Sequence, residues 1–264
     1  MNKVIRAEFG RTINAGLIIA IAGIIISICF DSFNDLIAGL RNGQGYVGYF
    51  FSNAAFGGMC THYMLPVFTA LPFSVSLCQE RNNKAVSYIV SREGKNRYIF
   101  AKFIVSAISG GFVAACGTVL LFLMLAMRFP IAGDEFEGAV VSDYFHEWSA
   151  VYYPQLYILT LSILAFCRGV IWSSLALCVS LYTSDFMVVL LSPFLGSYVL
   201  VRIFQIIRVP DMVRPDMILI GQVVIKSSGL TLLIAIAISL TIVTLIGAFF
   251  VGKMKEGLKS GTIY

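Results

Sequence analysis

The sequence predicts an all-α polytopic membrane protein with six transmembrane helices, an N-terminal amphipathic interfacial helix and both termini in the cytoplasm. Apolar residues make up 58% of the 264 residues, whereas charged residues make up only 12%. The mean hydropathy of +0.87 lies outside the range of water-soluble domains, because so few charges cannot cover the surface of a soluble protein of this size. Long apolar runs also recur along the whole chain.

Six apolar runs reach or approach the roughly 20 residues that a helix needs to cross a bilayer. They cover residues 13–30, 59–77, 101–127, 154–181, 186–204 and 230–251. No polar stretch between them exceeds roughly 30 residues, which leaves no room for a soluble domain. The chain is therefore predicted to form a single transmembrane domain over residues 1–264. No internal repeat is evident, which argues against an inverted-repeat carrier.

The first thirteen residues have the spacing of a short amphipathic helix lying in the inner headgroup region. Apolar residues recur near one face, and charged residues lie largely opposite. The apolar residues are Val4, Ile5, Phe9 and Ile13; the charged ones are Lys3, Arg6, Glu8 and Arg11. A signal peptide is the alternative, but residues 27–31 offer no small-residue cleavage site.

The distribution of basic residues predicts the orientation in the membrane. Of the nineteen Lys and Arg residues, twelve fall at the two ends of the chain and in the segment 80–102, which holds six. Six others fall in the remaining polar segments, and Arg168 lies within the fourth span. Because Lys and Arg mark cytoplasmic loops, this distribution places both termini and the segment 80–102 inside. The segment 134–147 is acidic and is predicted to lie outside.

Prolines are expected to bend two of the spans. Pro66 and Pro72 lie in the second span and Pro193 lies in the fifth. Each removes a backbone hydrogen bond and favours a kink. The kink serves either to fit the bundle or, in a broken helix, to build a substrate site.

The residue types found in catalytic and metal sites are sparse. The two histidines, His62 and His146, lie on separate loops, whereas a metal site needs three or four converging ligands. No nucleotide-binding motif and no nucleophile–histidine pair is present, so neither a catalytic residue nor a metal ligand is predicted. The six cysteines mostly fall in apolar runs and are read as packing residues. Cys60 alone lies near the predicted outer surface.

Arg168 is the costliest residue of the predicted spans. A cation at the middle of a bilayer costs about 2.5–3.5 kcal/mol on insertion scales. It marks either a polar point on a translocation route or subunit interface, or a side chain that snorkels or pairs with a carbonyl. Both interpretations stay open at this stage.

The segment 80–102 and the residues before it resemble small ABC transporter permeases of Gram-positive bacteria. In that family the loop between spans two and three has an acidic residue, then Tyr-Ile, Arg, basic residues, Tyr and Lys. The matching residues here are Ala70, Leu71, Pro72, Phe73, Glu80, Arg81, Lys84, Tyr88, Ile89, Arg92, Lys95, Tyr98 and Lys102. Residues 168–172 and 181–185 also resemble the fourth span of the family and its tight turn. Arg168 is a departure, since a small or apolar residue is expected there.

The resemblance implies a type-2, exporter-like permease subunit of a bacterial plasma membrane. Such subunits work as a pair of permease chains with two cytoplasmic ATPases, which bind the ATP and Mg²⁺, so that this chain binds no cofactor itself. The substrate class implied is amphipathic or peptide-like. The ATPase-coupling residues would be Glu80, Arg81, Lys84, Tyr88, Arg92, Lys95 and Arg97.

Physical chemistry alone leaves other interpretations of the same charges. The basic segment can dock a protein partner through its cations and Tyr88, or it can set topology and meet anionic lipid. A membrane sensor or immunity protein that transports nothing is the alternative function. An ion-coupled carrier has least support, because no carboxylate lies in the middle of a span. Nucleic acid is not an expected partner, since the positive charge belongs to membrane flanks.

Overall fold

Every regular element in the computed structural model is helical over the residues that it describes, which are 2–42, 47, 50, 58–131, 153–221, 223, 225 and 227–260. The predicted all-α class is confirmed for these residues. A short 3₁₀ turn covers Asp211–Val213. In chain order the helices are α1 (Asn2–Thr12), α2 (Ala15–Asp31), α3 (Phe33–Asn42), α4 (Met59–Ala70), α5 (Ser76–Asn82), α6 (Val86–Glu93), α7 (Lys95–Ala126), α8 (Pro154–Val179), α9 (Phe186–Ile207), α10 (Pro215–Ile220) and α11 (Ser228–Ser260).

Four helices in the described part of the chain are long and apolar enough to cross a membrane. They are α7, α8 from Gln155, α9 and α11. Helices α1 and α2 meet at 57° and would provide a fifth span if the bent pair crosses as one. These helices give the chain the character of a multi-pass membrane protein, with four or five candidate spans where the sequence predicts six.

The bend predicted in the span at 59–77 is a complete break in the helix. Helix α4 ends at Ala70, residues 71–75 form turns, and α5 begins at Ser76. Pro72 has no N–H to continue the helical ladder, and the Phe68 carbonyl accepts from the Leu71 N–H at 3.3 Å instead. With 12 residues, α4 is about 18 Å long, too short to cross the hydrocarbon core alone. Pro66 and Pro193, by contrast, lie within unbroken helices.

The segment 80–102 is also more ordered than a loop. It contains the end of α5, all of α6 and the start of α7, which begins six residues before the predicted span. Gly94 joins α6 directly to α7 with φ 85°, a left-handed value that favours glycine. At the other end of the chain α11 continues to Ser260, so the basic residues after the predicted sixth span lie on the helix.

Small residues bring α7 and α8 into backbone contact. A Cβ at Gly169 would lie 2.5 Å from the carbonyl oxygen of Gly110, so only glycine fits there. Beside this contact the Ser74 hydroxyl, in the break between α4 and α5, donates to the Ser173 carbonyl of α8 at 2.9 Å. Ser106 of α7 approaches the Ser74 hydroxyl at 3.0 Å. Close packing of small residues and shared hydroxyl hydrogen bonds are typical of helices that associate in membranes.

The N-terminal helix forms where the sequence predicts it, but its buried face is not the predicted one. Glu8 and Thr12 are buried, whereas Ile13 is 80% exposed. The placement of Glu8 on an outward charged face is therefore wrong. The reason is electrostatic, since a buried lysine of α7 lies within ion-pair distance of Glu8, as described below.

Three sets of basic residues, on α1, in the segment 80–102 and at the end of α11, lie at one end of the bundle. Helix α1 contacts the start of α7 through Glu8. The same end of α7 packs with α6 and with the end of α11, through Val86, Tyr98 and Met254. The basic residues of α1, of the segment 80–102 and of the end of α11 therefore share a surface.

The glycine contact makes a stability prediction. We expect Gly169→Ala to lower the melting temperature of the purified chain by several degrees, because overpacking against backbone costs about 1–3 kcal/mol. The control is Gly252→Ala on α11, where a Cβ would meet nothing within 4 Å. There the melting temperature should hold or rise slightly, since alanine favours the helix. Equal melting temperatures for the two variants would contradict the close α7–α8 contact.

Candidate functional site

A buried ionic cluster joins three helices at the end of the bundle where the basic groups gather. We define it by Glu8, Arg11, Glu80, Tyr98 and Lys102; the Arg11 side chain is 52% exposed, and the other four residues are buried. Lys102, on the first turns of α7, has a fully buried side chain. Its Nζ lies 3.0 Å from Glu8 Oε2 of α1 and 2.7 Å from Glu80 Oε1 of α5. One ammonium group therefore links both short helices to the long helix α7.

The other members of the ionic cluster balance its charge and fix its geometry. Arg11 Nη1 lies 2.7 Å from Glu80 Oε1 and 3.3 Å from Glu8 Oε1. The Tyr98 hydroxyl donates to the other Glu80 oxygen. Two carboxylates thus face two cations, and Lys102 Nζ also lies 4.7 Å above the centre of the Phe73 ring. A buried charge set is tolerated when its members are paired and hydrogen-bonded in this way.

Arg81, next to Glu80 on α5, binds a different partner. Its Nη1 donates to the carbonyl oxygens of Ser180 at 2.9 Å and Leu181 at 3.2 Å, just beyond the end of α8. The Asn82 amide donates to the Ser184 carbonyl in the same turn at 3.2 Å. Cations suit the last carbonyls of a helix, which carry its negative dipole end. Helix α5 is therefore fastened to the turn between α8 and α9.

Asp185 ends that turn as the sequence predicts. Its carboxylate accepts the Met187 N–H at 2.8 Å, and it is the N-cap of α9. The turn that receives Arg81 and Asn82 is thus itself held by a capping bond.

Helix α6 has one buried apolar side and one exposed polar side. Val86 and Val90 are buried against residues at the ends of α7, α8 and α11, among them Ile99, Leu177 and Met254. The exposed side continues onto the first turn of α7. We call this surface the basic face; its residues are Lys84, Tyr88, Arg92, Lys95 and Arg97.

Side chains of the basic face are available to a partner. Tyr88 is 79% exposed. The Arg92 side chain is 77% exposed, and its one ion pair among the described residues is with the largely buried neighbour Glu93 at 3.0 Å. An ion pair whose arginine is exposed in this way is worth little and is easily exchanged for another acid. The face therefore presents four cations around an amphipathic aromatic side chain.

The seven predicted coupling residues thus divide into two groups. Glu80 and Arg81 are engaged within the chain, whereas the other five form the basic face. The sequence reasoning missed the pairing of Glu8 with Lys102 and of Arg11 with Glu80. Tyr98 and Lys102 belong to the motif that resembles the permease family. Of the two, only Lys102 carried a sequence signal of burial, because it lies inside the apolar run 101–127.

Arg168 occupies a separate site, near the middle of α8. Its side chain is buried, and in the described part of the chain it makes neither a hydrogen bond nor an ion pair. It lines a cavity of about 160 Å³, which we call the Arg168 cavity, together with His62, Trp172, Leu200 and Asp216 among others. Helices α4, α8, α9, α10 and α11 form its walls.

The acidic residue of the Arg168 cavity is already committed. Asp216 Oδ2 accepts from Arg214 Nη2 at 2.7 Å, and Asp216 Oδ1 accepts from Arg214 Nε at 3.3 Å. The hydrogen bond to Asp216 raises the pKa of Arg214, so the Arg214 guanidinium stays protonated. Asp216 is thus the counter-ion of Arg214.

Within the described residues the cysteines form neither a disulfide nor a metal centre. His146 and the acidic segment 134–147 lie outside the described residues. Within the described ranges no three His, Cys, Asp or Glu side chains converge on a point. All six cysteines are free, including Cys60. The Cys60 backbone N–H instead donates to Asp31 at 2.9 Å, which ties the end of α2 to the start of α4.

The ionic cluster makes the second prediction. Lys102→Met should lower the free energy of unfolding by about 3–5 kcal/mol, because it leaves two buried carboxylates with one cation. The measurement is denaturant or thermal unfolding of the chain in detergent. Glu8→Gln added to Lys102→Met should restore part of the loss, since the two residues interact directly.

The matched control for this prediction is Lys253→Met, which removes an exposed lysine paired with Glu256 at 2.8 Å. It should leave stability almost unchanged. An equally small effect of Lys102→Met would show that the cluster does not hold the helices together.

Neither a protein-family model, nor a curated protein, nor a solved structure matches the chain.

Proposed function

We propose that this chain is the transmembrane permease subunit of an ATP-binding-cassette transporter that exports an amphipathic or peptide-like substrate. The observation that carries the proposal is the basic face, an exposed set of cations and one tyrosine on a short helix anchored to three long ones. A separate cytoplasmic ATPase would dock there and bind ATP and Mg²⁺. The chain itself would catalyse no reaction and bind no cofactor.

The membrane arrangement is part of this proposal. We count six crossings by taking α2 as one and the broken pair α4–α5 as another, beside the four long helices. Both termini lie on the cytoplasmic side of a bacterial plasma membrane. The shared surface of the three basic groups supports this orientation, because Lys and Arg resist translocation.

Two contacts support a mechanical role for α5 between the basic face and the spans. Lys102 ties Glu80 to α1 and α7, and Arg81 ties α5 to the turn between α8 and α9. A displacement of α6 by a closing ATPase would therefore pull on several spans at once. The Lys102 bonds to Glu8 and Glu80 are buried, the Arg81 bond to Ser180 is partly buried, and none is longer than 3.0 Å, so they would transmit movement with little slack.

A second permease chain and lipid are the remaining partners. Apolar side chains point outward along α2 and α9, among them Ile18, Ile26, Leu195 and Ile203. The proposed dimer interface uses spans one, two and five, and lipid covers the rest of this apolar surface. The second permease chain would pair with this one as a homodimer or a heterodimer.

A second candidate function is a membrane sensor or immunity protein that transports nothing. The Arg168 cavity favours it, because a ligand site within a bundle serves sensing as well as transport. The two functions differ in their need for an ATPase, which makes them separable by one experiment.

Charge reversal of the basic face tests the ATPase partnership. In the native host, the tagged chain should carry a stoichiometric ATPase through affinity purification in mild detergent, identified by mass spectrometry and vanadate-sensitive turnover. Arg92→Glu with Lys95→Glu should abolish this co-purification, because acids then stand where cations meet the partner. The variant should still insert into the membrane, since both side chains are exposed.

The control reverses two other exposed lysines at the same end of the bundle, Lys255→Glu with Lys259→Glu on α11. This pair matches the change in net charge but lies off the basic face, so the ATPase should be retained. Retention by the Arg92 and Lys95 variant would count against docking at the basic face. Absence of any ATPase from the wild-type chain would favour the sensor or immunity function.

Arg81→Met tests transmission rather than docking. The substitution removes both hydrogen bonds from α5 to the carbonyls beyond α8 and leaves the basic face intact. We therefore expect the ATPase to co-purify while its vanadate-sensitive turnover in the complex changes at least severalfold. Unchanged turnover would remove Arg81 from the proposed linkage.

A further inference from the structure

The strongest unexplained feature of the molecule is the uncompensated charge of Arg168. The side chain is only 7% exposed, yet no described residue accepts a hydrogen bond from it or pairs with it. Its guanidinium has five N–H donors, and burying such a group without partners is costly. In the ionic cluster, by contrast, the buried cation Lys102 has two carboxylates.

Snorkelling does not explain this side chain. Arg168 lies 14 residues after Pro154 and 11 residues before Val179 on α8. At 1.5 Å per residue it is about 21 Å and about 17 Å from the two helix ends. An arginine side chain does not span either distance, so its head cannot reach bulk water along α8.

The polar neighbours in the Arg168 cavity are mostly committed elsewhere. Asp216 is bound to Arg214, and the Ser197 hydroxyl donates to the Phe194 carbonyl at 2.8 Å. On its other side Arg168 lines a second, smaller cavity of about 20 Å³, with Thr61. The Thr61 Oγ1 is buried and has no hydrogen-bond partner. The Arg168 guanidinium and the Thr61 hydroxyl thus line these cavities without a hydrogen-bond partner among the described residues.

Apart from His62 of α4, the remaining walls of the Arg168 cavity are apolar. Trp172 and Leu175 follow Arg168 on the same helix, Leu200 comes from α9, and Ile242 and Ile246 come from α11. Leu200 is partly exposed on the apolar outer surface of α9, so this wall borders the region that lipid would occupy. A cation at the base of an apolar cavity that borders lipid matches a ligand with an anionic head and an apolar tail.

We propose that the Arg168 cavity binds an anionic amphiphile, with a carboxylate or phosphate head on the Arg168 guanidinium and one apolar chain against Trp172 and Leu200. An oxyanion offers the planar or multiple acceptors that a guanidinium binds in bidentate fashion. The chain replaces water on the apolar walls, which is favourable in proportion to the area covered. This site belongs to the chain itself and does not depend on the proposed ATPase.

The test uses the quenching of Trp172 fluorescence by brominated ligands. The full chain carries Trp148→Phe, so that Trp172 is its only tryptophan, and is reconstituted in phosphatidylcholine nanodiscs without any ATPase. Titration with 9,10-dibromostearate should quench Trp172 saturably. Arg168→Gln should weaken the apparent affinity at least tenfold, whereas 9,10-dibromostearyl alcohol should bind weakly and equally to both proteins.

Two further ligands distinguish the source of the anion. Brominated phosphatidic acid tests a membrane lipid, and the competition of soluble octyl phosphate against dibromostearate tests a free amphiphile. Quenching by the first or displacement by the second supports the proposal and identifies the source. Equal dibromostearate affinities of the wild-type and Arg168→Gln proteins would overturn it.

Two controls separate binding from folding. Arg202→Gln removes an exposed arginine of α9 and should leave quenching unchanged. Leu200→Phe keeps Arg168 but fills the cavity, and it should weaken dibromostearate binding; unchanged binding would place the ligand elsewhere and overturn the proposal. Without ligand, Arg168→Gln should not lower the melting temperature, because it removes an unpaired buried charge. A large drop would instead indicate that the arginine serves the fold.

Discussion

The position of Lys102 between two carboxylates constrains the whole end of the bundle where the basic residues gather. A fully buried ammonium needs both partners, and they come from α1 and α5. The chain therefore bends by 57° between α1 and α2, which brings Glu8 inward. Helix α5 must likewise begin close to α7, which the break after α4 permits. The cost of separating any member from the others keeps the three helices together.

The break at residues 71–75 follows from the same arrangement. A straight continuation of α4 would carry its residues along the bundle axis, whereas the break lets Ser74 reach α8 and Glu80 reach Lys102. The Ser74 contact is possible because α7 and α8 approach through Gly110 and Gly169. A local sequence feature, a proline, thus has its effect through packing: the chain is redirected, and its freed polar groups find acceptors on neighbouring helices.

Local chemistry explains which boundaries the sequence predicts well. The start of α8 at Pro154 and the N-cap of α9 at Asp185 are set by residues that act on their immediate neighbours. The break at Pro72 is not explained by local sequence alone, since Pro66 in the same predicted span leaves its helix intact. The pairing of Glu8 with Lys102 spans 94 residues and leaves no periodic pattern. The cost of Arg168 is visible in the sequence, but the cavity beside it is formed by five helices.

A buried cation is costly unless anions or hydrogen-bond acceptors compensate it, and the two buried cations of this chain differ in whether the chain supplies them. Lys102 is compensated by residues of the chain, so it serves to hold helices and its surroundings are closed. Arg168 is not compensated by any described residue, and the chain keeps space and apolar walls beside it. Both sites act on α8: Arg168 lies on it, and the ionic cluster reaches its end through α5 and the Arg81 bonds to Ser180 and Leu181. An anion bound at Arg168 would therefore offset the cost of burying an unpaired cation on α8. The end of α8 that is connected to the basic face through α5 lies about 18 Å from Arg168 along the helix. Such a ligand can bias that end only if α8 or its turn has two arrangements that the anion binds unequally.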